Sequence, residues 1–482
     1  MIRRINAFFS SKLVKRFSSS KYNSRYIKSN LNEPDYVFRE NTIPKQSDIL
    51  IVGGGLIGWS IAFWLRFTSK TTVTLIERDP SYSYTSTLRG YGGLCHQYYC
   101  PEYINMSMFS FDFLRNINDY LQVNDDHKID VNFAPHGHLM LTNDEYSENL
   151  IDNFHLQQSF GVSSQYLSKE EISKRWPWIN TADIACGSIG LDYEGWFDSA
   201  KLLRALQEKS SFLGVNYVIG EVEEIEKLGS YQSFVSPGHF PERCPIQFDP
   251  IRYAHIRTAT GNKQKISFAL LVNSAGCWTD DILEKADSEI KDFPVVKVLQ
   301  QIFIVRPPDD YSPLSGEIST PSIDAPFIHD TSGLNIQRIG LTGNFAVFSE
   351  TSDLDIIRPN DEFTMLQNSN HETVEKIYKE TIRDQLISRI PCMERAKLVG
   401  GWSCLDDYNT YDQYPIIGQH PFQPKMFLAC GTNNLDAAHS IAIGRAMSEL
   451  IFYSMYRTID LSCFSPHRLL LDLPVGDNKI RS

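Results

Sequence analysis

No acidic residue precedes Glu33 in this chain of 482 residues, although the whole carries a net charge of −12. No apolar run reaches the roughly 18 residues that a membrane-crossing helix needs, and no two cysteines form a C-x-x-C pair. Each absence excludes something. The acid-free start holds eight basic residues from Arg3 to Lys28 and the cluster Ser18-Ser19-Ser20, but no continuous apolar core, which argues against a secretory signal. On a helix Ile2, Ile5, Phe9, Leu13 and Phe17 would share one face, so residues 1–32 read as an amphipathic mitochondrial presequence. Without a long apolar run, membrane contact is expected to be peripheral, with no transmembrane segment. The nine cysteines are scattered and odd in number, which excludes a disulfide framework and a zinc ribbon. They fit free thiols in a reducing compartment, the mitochondrial matrix or the matrix side of the inner membrane. The acidic balance argues against nucleic acid as a partner. No metal site is expected: His136-Gly137-His138 reads as a strand-end turn.

What is present begins at Asp48. The run Asp48-Ile-Leu-Ile-Val-Gly53-Gly54-Gly55-Leu56-Ile57-Gly58 takes a buried strand into a glycine turn and then a helix. A second strand, Thr72 to Ile76, ends at Glu77. At this spacing Gly53 allows the tight turn, Gly55 lets backbone N–H groups approach a pyrophosphate, and Gly58 lets the helix pack against the strand. The helix N-terminus favours the negative charge of the phosphates. Glu77 stands where an acid accepts from the adenosine ribose, about 20 residues past the glycines. The pattern predicts a dinucleotide site, and by itself permits NAD as well as FAD.

At this length one core is too few, so two domains are expected. Hydrophobic spacing predicts helices over 102–121, 145–160, 168–175, 199–212 and 372–389. Strands are expected within 131–141 and over 215–219, 222–228, 254–258 and 268–273, while 298–306 and 326–348 alternate like an antiparallel sheet. Residues 33–45 read as a linker. The Pro/Ser/Gly-rich stretch 229–250 reads as an insertion and 359–371 as a surface loop. The whole is expected to be a discontinuous nucleotide domain, 46–130, 195–290 and 398–470 with a C-terminal helix. A substrate domain, 131–194 and 291–397, is threaded between its pieces.

Further blocks are Ser86-Thr87 with Gly92-Gly93, Glu194-Gly-Trp-Phe-Asp198, Val272-Asn-Ser-Ala-Gly276-Cys-Trp278 and Asp412-Gln-Tyr-Pro415-Ile-Ile417-Gly418. With the glycine turn they resemble the flavoprotein family of D-amino-acid oxidase, glycine oxidase and sarcosine oxidase, over about 46–470. The resemblance implies FAD as cofactor and a mixed α/β and α+β fold like that of D-amino-acid oxidase. It pairs a Rossmann-like FAD-binding domain on a parallel sheet with an antiparallel substrate domain. It implies that Gly53, Gly55, Leu56, Ile57, Gly58, Glu77 and Arg78 hold the adenosine and pyrophosphate. Ser86 and Thr87 would donate hydroxyls to the pyrophosphate or ribityl chain, and Val222 would hold the adenine edge. Ala275, Gly276 and Gly431 would close on the cofactor. Phe113-Leu-Arg-Asn-Ile-Asn118, Pro177-Trp-Ile-Asn-Thr181, Asp330-Thr-Ser-Gly333, Asp407-Tyr-Asn-Thr410 and Thr458-Ile-Asp-Leu-Ser462 narrow the resemblance to a mitochondrial branch that serves assembly of respiratory complex I (NADH dehydrogenase). Complex I subunits or other assembly factors are then the implied partners.

The chain departs from the family at the other end of the cofactor. A turn of G-F-S-G-H-G type is replaced by Gly431-Thr-Asn-Asn-Leu-Asp436, and W-x-G by Trp402-Ser-Cys404. A Pro-Arg-Lys-Arg run is replaced by Lys297-Val-Leu-Gln300, and an aromatic-Arg pair by Ile336-Gln337, although Arg338 follows. In the family the turn's N–H groups and helix dipole stabilise negative charge on the reduced ring, and Asp436 would oppose this. The expected function is therefore FAD binding in complex I assembly, with weak or no amine oxidation. The alternative is a catalytic FAD-dependent amine or amino-acid oxidase or dehydrogenase, with Arg338 or Arg89 holding a substrate carboxylate. Its catalytic residues are not identified by the sequence. His96 is a candidate for contact with the ring, and Cys404 is a candidate for a covalent flavin link or for a buried structural thiol.

Overall fold

The computed structural model describes residues 43–476 apart from 90–91, 125–127, 192, 229–249, 259, 287–291, 309–319, 340–342, 351–355 and 358–364. The presequence, most of the linker and nearly all of the 229–250 insertion lie outside the described residues.

The chain opens with strand β1 (Gln46–Val52), helix α1 (Leu56–Thr68), β2 (Val73–Glu77), α2 (Ser86–Arg89), β3 (Gly93–Leu94), α3 (Pro101–Arg115) and α4 (Ile117–Leu121). It continues through β4 (His138–Thr142), α5 (Ser147–Ser159), β5 (Ser164–Ser168), α6 (Lys169–Arg175), β6 (Cys186–Gly190), β7 (Gly195–Trp196) and α7 (Ser199–Phe212). Then come β8 (Asn216–Lys227), β9 (Ile251–Thr258), β10 (Lys263–Asn273), α8 (Thr279–Lys285), β11 (Val295–Arg306), β12 (Phe327–His329), β13 (Leu334–Ile339) and β14 (Asn344–Ser349). The last elements are α9 (His371–Thr381), α10 (Arg383–Arg389), β15 (Lys397–Asn409), β16 (Ile416–Gln419), β17 (Met426–Cys430), α11 (Asp436–Tyr453) and α12 (His467–Leu471).

The fold is the mixed α/β and α+β arrangement that the sequence implies. In the first sheet β1 lies parallel between β2 and β10, β17 continues the parallel order, and β16 closes it antiparallel. The first half of β8 pairs parallel with β2, and its second half leaves to pair antiparallel with β9. The change of partner falls between Ile219 and Gly220 with no break in the strand, so the two short strands expected over 215–219 and 222–228 are one. The second sheet runs β15-β11-β14-β13-β12-β4-β6-β5, with β12 and β4 parallel and the other pairs antiparallel.

Three expected elements are shorter than their periodicity suggests. The 102–121 helix breaks at Asn116, whose side-chain amide donates to the Asp112 carbonyl at 2.8 Å and competes with the helical ladder. The 372–389 helix divides at Ile382. Residues 131–137 are not a strand, because Asn132 has φ +55° and Pro135 lacks an N–H to give a ladder.

α1 is buried through its first ten residues because α7 and α11 cover it in one apolar core. At Gly444 of α11 a Cβ would stand 2.1 Å from the Ser60 hydroxyl, so this glycine sets how closely the two helices cross. The indole of Trp64 donates to the Ile441 carbonyl at 3.1 Å and ties the crossing further.

A buried polar cluster joins the segment after β3 to the second sheet. The Glu194 carboxyl, 1% exposed, accepts from the His96 N–H and the Gln97 amide, each at 2.8 Å. The same Gln97 amide donates to the His138 carbonyl on β4 at 2.7 Å. Glu194 thereby clamps the segment after β3 to the second sheet. Burial pushes its pKa from 4.5 up to about 7, so the folded chain holds a proton that the unfolded chain has released. This contribution is fully present below pH 4.5 and is lost as pH rises through 7. The loss is expected to be roughly 3 kcal/mol of stability. Glu194→Gln should flatten that slope; urea denaturation of both proteins at pH 5 and pH 8 measures it, and parallel pH dependences would show that Glu194 does not titrate in this way.

Candidate functional site

The site is built at the C-terminal edge of the parallel strands. Leaving β1, the chain turns through Gly53 at φ +103°. A Cβ there would stand 2.3 Å from the Ser274 carbonyl oxygen, just past β10. A Cβ at Gly58 would stand 1.9 Å from the Gly53 carbonyl oxygen. Both glycines are therefore required by backbone approaching backbone. Gly55 precedes α1, no side chain caps that helix, and its first turn carries no acid. The open N–H groups of such a terminus favour an anion.

In front of that terminus lies a cavity of about 410 Å³, within the range of cofactor sites. It brings together Gly53, Gly55, Leu56, Ile57, Glu77, Arg78, Ser86, Thr87, Val222, Ala275 and Gly276 of the expected site residues. Gly58 and Gly431 lie outside the lining: Gly58 packs behind the turn, and Gly431 stands behind Thr432, which does line it.

Glu77 is nearly buried, and burial raises its pKa. Its oxygens accept from the Gly54 N–H and the Asp79 N–H, each at 2.7 Å, so the acid also ties β2 to the glycine turn. Arg78 lies over the Trp278 ring at 4.9 Å and 3.8 Å from a Glu221 oxygen. Lys285 donates to the Val222 carbonyl at 2.7 Å. The hydroxyls of Ser86 and Thr87 come from α2, which is positioned by the Leu405 N–H donating to the Tyr84 carbonyl at 2.7 Å.

Two contributors escaped the sequence reading. Tyr82 is 3% exposed, and its hydroxyl donates to the Gly54 carbonyl at 2.8 Å, pinning the turn from below. It sits in a Ser/Tyr/Gly-rich loop with no pattern to single it out. Asp407 lines the cavity beside Thr432, 4% exposed, with its pKa raised by burial. The acid expected to face the ring was Asp436; it opens α11, and its side chain lies outside the described residues.

Side chains of the second sheet alternate between two apolar clusters. Phe303, Val305, Ile328, Phe345 and Val347 pack with Tyr378 and Leu386 of α9 and α10. Ile302, Ile304, Phe327, Ala346, Phe348 and Cys404 form the other cluster, with Trp402 against it. A Cβ at Gly93 would lie 3.2 Å from His138 and 3.4 Å from Phe327, which places β3 against this second face.

The candidate substrate groups are not gathered there. Arg338 lies over the Phe345 ring, on the helix-covered face, and donates to the Ser322 carbonyl at 2.9 Å. The side chain of Arg89 lies outside the described residues. Cys404 is fully buried in the apolar cluster and does not line the cavity. His96 is likewise off the lining; its Nδ1 lies 2.8 Å from the Ser107 hydroxyl, and burial lowers its pKa to about 4. His138 Nδ1 lies 2.9 Å from His329 Nε2.

The residues present fit FAD. A cradle that a Cβ at Gly55 would fill, an uncapped helix N-terminus and a buried acid ending β2 suit a pyrophosphate and an adenosine ribose. Bound there, FAD supplies two-electron redox chemistry, while the chain binds it and shields it from water.

A family model described as FAD dependent oxidoreductase (DAO) matches residues 48–450. FAD-dependent oxidoreductase domain-containing protein 1 of Xenopus laevis is 32% identical over 453 residues, covering 91% of this chain and 85% of that protein. The Drosophila melanogaster homolog is 33% identical over 445 residues, covering 91% and 82%. Among solved structures, L-proline dehydrogenase from P. horikoshii shares the fold with a TM-score of 0.69 at 18% identity, covering 90% of this chain and 100% of that one.

Gly55 has backbone angles that any residue adopts (φ −69°, ψ −175°), but a Cβ there would stand 2.8 Å from the Thr87 hydroxyl. Gly55→Val is expected to keep the fold and to lower FAD affinity about 100-fold. Far-ultraviolet circular dichroism and FAD titration check the two halves, and unchanged affinity would show that the phosphates lie elsewhere.

Proposed function

This chain belongs to the DAO family of FAD dependent oxidoreductases, and from that we propose that it is a FAD-holding mitochondrial protein that serves assembly of respiratory complex I and oxidises amines weakly or not at all. One observation carries the second half of this reading. The sheet face turned toward β3 is filled by Ile302, Ile304, Phe327, Phe348 and Cys404 rather than lined by groups for a charged substrate. Of the polar side chains around that cluster, Gln300, Asn335 and Gln337 are buried and uncharged, and His138 and His329 pack on Phe327 with their pKa values lowered by burial.

An amino-acid oxidase needs a cation for the substrate carboxylate. Among the described residues, the nearby cations are committed elsewhere. Arg338 is on the other face, the Lys297 ammonium sits 3.2 Å from both oxygens of Asp281, and Arg306 donates to the Asn344 side chain at 2.9 Å.

The mitochondrial placement is supported by the basic, acid-free residues 1–32, and the matrix or the matrix side of the inner membrane is its proposed site. Partners are proposed to be complex I subunits or other assembly factors. Among the described residues no helix is long and apolar enough to cross a membrane, so association with the inner membrane is proposed to be peripheral.

Purified protein is expected to show flavin absorbance bands that persist when N-methyl and D-amino acids are added under anaerobic conditions. Deleting the gene should lower assembled complex I and spare the other respiratory complexes. Rapid stoichiometric bleaching of the flavin by such an amine would overturn the non-catalytic half. Unchanged complex I would overturn the assembly half.

A further inference from the structure

We propose that Asp407 occupies, from within the protein, the anion site at the flavin-ring end of the cavity, so that the bound flavin is disfavoured from carrying negative charge. This rests on the FAD reading and goes beyond it by assigning one side chain a role in setting the flavin's redox behaviour.

The two ends of the cavity follow from sheet order. Glu77 ends β2 and Gly431 follows β17, with β1 and β10 lying between. At the usual strand spacing these ends stand about 14 Å apart. With the adenosine ribose at Glu77 and the pyrophosphate at α1, the ring end falls beside Thr432 and Asp407, both of which line the cavity.

The turn that follows β17 has the shape of an anion nest. Gly431, Asn433 and Asn434 have φ of +67°, +51° and +68°, and left-handed residues within such a turn aim successive N–H groups into one concavity. Here a carboxylate already fills it. Asp407 Oδ2 accepts the Gly431 N–H at 2.5 Å, and Oδ1 accepts the Thr432 hydroxyl at 3.0 Å. The Asn433 N–H donates to the Asp407 backbone carbonyl at 3.1 Å, which fixes the strand against the turn. Two of the turn's donors, the Gly431 N–H and the Thr432 hydroxyl, are thus engaged by the chain's own acid.

Among the described residues, the neighbours of Asp407 do not restore positive potential. Asp406, the neighbouring acid, is also buried. Lys297 is the cross-strand partner of Asp407, but its ammonium is paired with Asp281. The thiol of Cys277, beside the cavity, is pushed well above its usual range by burial and by both acids.

Sulfite reports on this end of a flavin. It adds through sulfur to ring N5, and the electron pair it brings leaves the ring negatively charged, so the adduct forms readily only where that charge is stabilised. The FAD-loaded wild-type protein is expected to resist bleaching by sulfite. Asp407→Asn, which removes the charge, and Asp407→Ala, which also releases the Gly431 and Thr432 donors, should each bind sulfite about tenfold tighter or more. Asp112→Asn, an exposed acid on α3, should change nothing. The wild-type protein alone supplies a second measurement: its flavin should have a reduction potential below that of free FAD in dye equilibration.

Equal sulfite affinity in wild type and both Asp407 variants, or a wild-type potential above that of free FAD, would overturn the inference. Failure of the wild-type protein to take up FAD, seen as missing flavin bands before any sulfite is added, would overturn the cofactor reading and the inference with it.

Discussion

The close approach of backbone to backbone at the end of β1 is the constraint on which the molecule is built. At Gly53 the chain passes so near the Ser274 carbonyl that no Cβ fits, and at Gly58 the helix passes equally near the Gly53 carbonyl. These contacts put the N-terminus of α1 directly in front of the parallel strands. They also set the position of α1, whose buried face forms the core with α7 and α11. The polar side chains around the turn hold it from several directions. Glu77 accepts the Gly54 N–H, Tyr82 donates to the Gly54 carbonyl, and the Ser274 hydroxyl donates to the Gly53 carbonyl at 3.1 Å. The phosphate cradle and the core are thus one construction.

Such contacts are local, which is why this end of the site was legible in the sequence. A glycine spacing and an acid at the end of the next strand report backbone geometry within about thirty residues of one another, and that geometry has few solutions. The strand-turn-helix unit and Glu77 could therefore be named from the chain, while Arg78 and the hydroxyls of α2 were implied by the family resemblance. The periodicities also identified the alternating strands of the second sheet. They misjudged where helices and strands stop. Those limits depend on single residues such as Asn116, and on long-range pairings such as the change of partner along β8.

The ring end was legible only as a set of departures. The loss of glycines after Gly431 signalled a changed turn, but not what fills it. Attention fell on Asp436 because it is adjacent in sequence. The acid found in the cavity, Asp407, comes from β15, 24 residues before the turn, and reaches it because β15 ends beside β17. Nothing in one sequence pairs those two segments. Arg338 shows the same limit in reverse: as the only arginine near the expected aromatic-Arg position it drew notice, yet strand alternation turns it to the helix-covered face.

A chain can keep one end of a dinucleotide site while the other changes because the two ends do different work. Contacts to adenosine and pyrophosphate are the same whether the flavin is oxidised or reduced, so they supply affinity without influencing the redox step. Contacts at the ring distinguish the two states and therefore set reactivity. A protein that holds FAD without oxidising an amine, as proposed for this chain, is held to the first set and released from the second. The intact cradle at α1, the filled sheet face around Phe327 and Phe348, and a carboxylate seated in the turn beside Thr432 fit that division.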